Sequence, residues 1–165
     1  MAAANGLHDR ITRYIDDAIA VEQGIVTGLK DMITDATDPI DVALFQEHLA
    51  VMETQRCRLE QRLEALSRHP NSLKHAVNKL GITTTSLRHA GKDAGDKATR
   101  NLVQAHAIEN IEIAMYDSLI AAATAAGYSE TVTLARTIQA EEEATAKRIF
   151  PRIAPMAKAA VEAAV

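Results

Sequence analysis

Residues 96–127 read DKATRNLVQAHAIENIEIAMYDSLIAAATAAG, and this stretch predicts one long amphipathic helix. Leu102, Ala105, Ile113, Tyr116 and Ile120 fall at helical spacing and so share a face. The alanine-rich composition favours a helix, and Gly127 is the kind of residue that stops one. Two charges, Glu109 and Glu112, lie within that apolar stripe. A carboxylate on a face destined for burial is costly unless a proton, a cationic side chain or a metal neutralises it.

The same reading extends along the chain. Pro39, Pro70, a cluster at Gly81, Gly91 and Gly95, then Gly127 and Pro151, divide it into four helical segments: Leu7 to Ala36, Ile40 to Arg68, Asp96 to Ala126 and Ser129 to Phe150. The first and last links are a few residues long, which forces antiparallel hairpins. The middle link, Ser67 to Gly95, has about thirty residues, too many for a plain loop, and LKHAVNKL at 73–80 can make two helical turns inside it. A long crossover between the second and third helices follows. Pro151 to Val165 predicts a short C-terminal fifth helix with Pro155 in its first turn. The expectation is an all-α four-helix bundle.

Composition narrows the function classes. The chain has 165 residues, 47% hydrophobic but only 3% aromatic, which fits one domain over 1–165 with an aliphatic core. A net charge of −4 and a pI near 5.8 argue against a nucleic-acid partner, which needs a concentrated basic face. No apolar run approaches the roughly 18 residues of a membrane span. The single Cys57 and the start MAAANGLHDR, which lacks the apolar run of a signal peptide, predict a cytoplasmic protein.

The other stripes carry charges too. Ile11, Ile15, Ala18, Ile25, Leu29 and Met32 enclose Glu22; Leu134, Ala135, Ile138 and Ile149 enclose Glu142, with Glu141 on the flank and Glu143 outward. The second stripe is Phe45, Leu49, Met52, Leu59 and Leu63, with His48 inward-flanking and His106, on the third helix, at the edge of its own stripe. Turning the chain at residue 38 sets Glu22 opposite about residue 54, and turning it at 127 sets Glu142 opposite about residue 113, so the carboxylates share one level. Four-helix bundles hold paired iron or manganese ions in this way, with a Glu from two helices and a Glu-x-x-His from the other two. Here Glu142 is followed by Thr145 and Glu53 by Arg56, so neither motif is complete. Two readings stand: Glu22, Glu109, Glu112, Glu142 and His48 are metal ligands, or they are core carboxylates kept neutral by protons and by Arg56, which falls at the level of Glu22. Cys57 points away from the stripe. Gly24 and Gly28 permit close helix approach.

AVEQ around Glu22, EHLAVMETQRCRLEQRLEAL, HAIENIEIAMYDSLIAAATAAG and TIQAEEEATAKRI together resemble the YciF-like bacterial stress-protein family, over Leu7 to Ile149. The resemblance implies a ferritin-like fold, a cytoplasmic location and a homodimer; the family's biochemical function is unassigned. Val51 stands where the family pattern has a glutamate, with Gln55 the next polar place, which removes a candidate ligand and predicts an incomplete centre. The expected function is a ferritin-like stress-associated bundle that binds Fe or Mn incompletely. Oxidase or peroxidase chemistry is a weaker reading. The rival is a metal-free dimeric interaction protein, its degenerate site closed by Arg56, with a protein partner. No Ser/His/Asp or activated-cysteine pattern supports a nucleophilic enzyme.

Overall fold

The computed structural model describes residues 2–70 and 93–163; the helical turns expected at 73–80 and the crossover itself lie outside the described residues. Among the described residues there are four helices: α1 (Ala2–Asp35), α2 (Pro39–Ala65), α3 (Ala94–Ala126) and α4 (Ser129–Glu162). Their ends follow local chemistry. Asp38 caps α2 by accepting from the Ile40 N–H at 2.8 Å, with Pro39 in the first turn where its missing N–H costs nothing. Asp93 caps α3 through the Asp96 N–H at 2.8 Å. α3 stops at Gly127, φ 79°, where the Tyr128 N–H turns back to the Ala123 carbonyl at 2.9 Å; only glycine takes that left-handed conformation without strain.

α1 packs on α2 and α3, and α4 on α3 and α2, so the two hairpins lie side by side as an all-α four-helix bundle. The apolar core falls into two groups. One gathers Ile11, Ile15, Leu59, Leu63, Leu119 and Ile138 with their neighbours. The other gathers Leu29, Phe45, Met52, Leu102, Ile108 and Ile149 with theirs. A polar layer lies between them.

The expected fifth helix is not seen. α4 runs unbroken through Pro151 and Pro155 to Glu162, although an interior proline ordinarily costs about 3 kcal/mol through a lost hydrogen bond and a clash. Both prolines are exposed, four residues apart on one outer face, and the opposite face is held down. Arg152 donates to Asp41 and Asp38, each at 2.8 Å, and Ile153 and Met156 pack against the second apolar group. Near the end of α4, Ala160 lies so close to Gly95 that a Cβ on Gly95 would come within 2.7 Å of the alanine Cβ. The tertiary contacts of the tail outweigh the sequence signal for a break.

Candidate metal centre

Each helix contributes to the polar layer at the point where its apolar stripe is interrupted: Glu22 from α1, His48 and Gln55 from α2, Glu109 and Glu112 from α3, Glu142 from α4. The four glutamates and Gln55 are 0% exposed and His48 is 3% exposed. Their ligand atoms converge in two groups, His48 with Glu109 and Glu142, and Glu22 with Glu112 and Glu142, and within each group they lie within 4.8 Å of one another. Glu142 belongs to both.

The hydrogen bonding is what distinguishes this layer from an ordinary buried polar cluster. As ionised acceptors, both carboxylate oxygens of Glu109, Glu112 and Glu142 and one of Glu22 find no donor, and both ring nitrogens of His48 are unpartnered; a proton on Glu109 or Glu142 joins those two carboxyls to each other. His48 Nε2 and Glu109 Oε1 stand 2.9 Å apart yet are not aligned as donor and acceptor. Ligands at right angles on a small octahedral cation with bonds of about 2.1 Å have that kind of spacing, about 3 Å. Among the described residues, the Tyr116 hydroxyl donates to Glu22 Oε1.

The electrostatics follow from burial and crowding. Burial pushes Glu109 up to about 7, and burial with the neighbouring Glu109 pushes Glu142 up to about 9. Glu112 is raised by burial and by Glu22, Glu142 and Glu109. Glu22 is raised by burial, opposed by the Tyr116 bond. Burial lowers His48 to about 4, keeping its imidazole neutral, and burial raises Tyr116 well above the usual phenol, so it remains a donor.

All five residues expected as ligands are thus brought together, and the level inferred from the hairpin register is real. The arginine expectation is corrected. Arg56 does not reach the carboxylates: it is partly exposed, donates to Gln23 Oε1 and pairs with Glu60 at 3.5 Å, because its position on α2 is rotated off the inward face by one residue from Gln55. Arg58 is the nearer cation, and it is engaged by Glu141. Among the described residues, no Lys or Arg bonds any of the four buried glutamates. Val51 is only partly buried and lines a cleft between α2 and α4. Thr145 is buried but turns its hydroxyl to the Glu141 carbonyl at 3.1 Å. His106 is a flank residue whose ring meets Phe150 at a tilt of 45°, centroids 5.0 Å apart. Cys57 is exposed.

Two residues of the layer had no site role in the sequence reading. Gln55 bonds Glu141 through Nε2 at 3.0 Å and leaves Oε1 unpaired. Its signal was the hairpin register, which faces Glu22 with residue 54 or 55, and its seven-residue spacing from His48. Tyr116 was read as part of the apolar stripe; its spacing of four from Glu112 and seven from Glu109 places its hydroxyl on their face.

Residues 6–161 match the family described as a domain of unknown function, DUF892. Among solved structures, the chain is similar to a protein from Xanthomonas campestris at 21% identity, TM-score 0.78, covering 95% of this chain and 97% of that one. It is similar to the E. coli stress protein YciF at 19% identity, TM-score 0.79, over 92% and 97%. Dps from Thermosynechococcus elongatus follows the same backbone at 14% identity, TM-score 0.74, over 92% and 95%. These likenesses identify the fold as ferritin-like. No curated protein matches the chain. No described helix is long and apolar enough to cross a membrane.

Proposed function

Because the chain belongs to the family described as a domain of unknown function, DUF892, we propose a role read from its buried layer: a site for two divalent iron or manganese ions that share Glu142. One observation carries the reading, the set of fully buried carboxylate and imidazole atoms without partners. Glu22, Glu112 and Glu142 would hold one ion and His48, Glu109 and Glu142 the other. Hard oxygen donors with a single imidazole suit iron or manganese better than softer metals. Two divalent ions also balance the charge of four ionised carboxylates that no arginine or lysine neutralises. Three protein residues for each ion, with Val51 and Thr145 where further ligands would stand, leave coordination positions open, which is the sense in which the centre is incomplete. Such ions supply redox and Lewis-acid chemistry toward small oxygen species, a property in keeping with the stress role in the name of the E. coli relative. The chain's own residues orient the set: Tyr116 fixes one oxygen of Glu22, and neutral His48 presents a free ring nitrogen.

The test is metal content after purification without chelators, followed by anaerobic titration with ferrous iron or manganese. Two ions per chain are expected, falling to one in Glu22→Ala and to none or one weakly held in Glu142→Gln. Metal-free protein whose melting temperature does not respond to either ion would overturn the proposal, since a ligand confined to the folded state must stabilise it.

A further inference from the structure

A small cavity lies between α1 and α3, with His48 of α2 among its lining residues. Gly24 and Gly28 form the α1 wall, Ala105 and Ile108 the α3 wall, and Gln104 stands at the side as the other polar residue. Its volume is about 40 Å³, enough for one or two water-sized bodies. Its walls offer almost nothing to hydrogen-bond, and water needs two to four polar partners to reside in such a space. Gly28 is partly buried, and a Cβ added to it would meet nothing within 4 Å. The glycine therefore leaves open space, whereas the close helix approach expected of it would have placed a neighbour there. The His48 side chain, which lines the slot, is 1% exposed, with both ring nitrogens unpartnered.

We infer that this slot is a binding and entry site for a small neutral apolar diatomic molecule of the dioxygen class, delivered to the His48 side of the metal centre. The inference rests on the metal reading proposed above. Size excludes organic substrates, and apolar walls disfavour ions, whose dehydration nothing there repays. A second opening competes for the role: the cleft of about 480 Å³ between α2 and α4, which is wider and lined by Arg58, Glu141 and Arg148. Its charged rim suits water and ions, and it does not contain His48 among its walls.

The experiment has two arms. Metal-free protein is equilibrated with xenon, an apolar probe of comparable size, and methyl resonances of Leu29 and Ile108 are followed. Saturable shifts are expected, and they should vanish in Gly28→Leu, a substitution that a helix tolerates and for which the first added atom has room. Ferrous-loaded protein is then mixed with nitric oxide. The association rate should fall about tenfold in Gly28→Leu with unchanged iron stoichiometry, and should be unaltered in Ala144→Leu, which narrows the other cleft. Absence of xenon from the wild type, an unaltered nitric oxide rate in Gly28→Leu, or a loss confined to Ala144→Leu overturns the inference. A chain that takes up no iron defeats the metal reading instead, and the xenon arm then decides by itself whether the slot admits an apolar diatomic.

Discussion

Ile15, Leu59, Leu63 and Ile138 at one end of the core, and Leu29, Phe45, Leu102 and Ile149 at the other, are satisfied by contact alone. Between them Glu22, Glu109, Glu112 and Glu142 are as deeply buried and satisfied by almost nothing. Both regions are made by the same helices with the same inward spacing. The difference lies in what each does for stability: the apolar ends hold the bundle together, and the middle layer costs free energy until something supplies positive charge or protons. Buried titratable groups shifted this far mark a candidate functional site.

Three substitutions and one change of pH test that contrast, in falling order of effect. Phe45→Ala, in an apolar end, should destabilise by about 3–5 kcal/mol through lost transfer and a cavity; urea unfolding of metal-free protein measures it, and a loss below about 1 kcal/mol would mean that the end is not close-packed. Glu112→Leu, in the middle layer, should act in the opposite direction, stabilising the metal-free protein by about 1–3 kcal/mol because a stranded buried polar group is removed. The same variant should lose the stabilisation that iron or manganese gives the wild type. A destabilised Glu112→Leu would show that the layer is held by hydrogen bonds rather than awaiting an ion.

The same layer dictates a pH trend. A carboxyl whose folded value is raised binds its proton more tightly folded than unfolded, so the folded state loses ground as pH climbs from the ordinary 4.5 through about 7 for Glu109 and about 9 for Glu142. His48, lowered from 6.5 to about 4, opposes this with a single proton below 6.5, against four raised carboxyls. Metal-free protein should therefore melt several degrees higher at pH 5 than at pH 8, and bound metal should reverse the slope because protons compete with it. The smallest effect belongs to Arg56→Leu: with its guanidinium on Gln23 and Glu60 at a partly exposed position, the change should stay within about 0.5 kcal/mol and leave metal uptake untouched. A large loss would return Arg56 to the carboxylates.

The four helices and the level of the buried carboxylates were legible because both depend on local signals: stripe spacing, Asp38 with Pro39, Gly127 in a left-handed cap, and two short links that fix hairpin register. The tail was misread because Pro151 and Pro155 are strong local breakers, while the restraints that override them, Arg152 to Asp38 and Asp41 and the Gly95–Ala160 contact, join residues more than sixty positions apart. Arg56 was misplaced for a subtler reason. At 100° per residue over a 27-residue helix, a small error in phase exchanges it with Gln55, and only packing shows which of the two faces inward.

The unbroken α4 has a further consequence at its end. Pro151 and Pro155 lack amide hydrogens, so the carbonyls of Lys147 and Pro151 have no donor from the next turn of the helix. The last turns are thus anchored from the side more than along their own axis. Amide exchange beyond residue 150 should run ahead of that in the rest of α4 and accelerate together in Arg152→Ala, marking the tail as a small unit that opens and closes without disturbing the helix that carries Glu142.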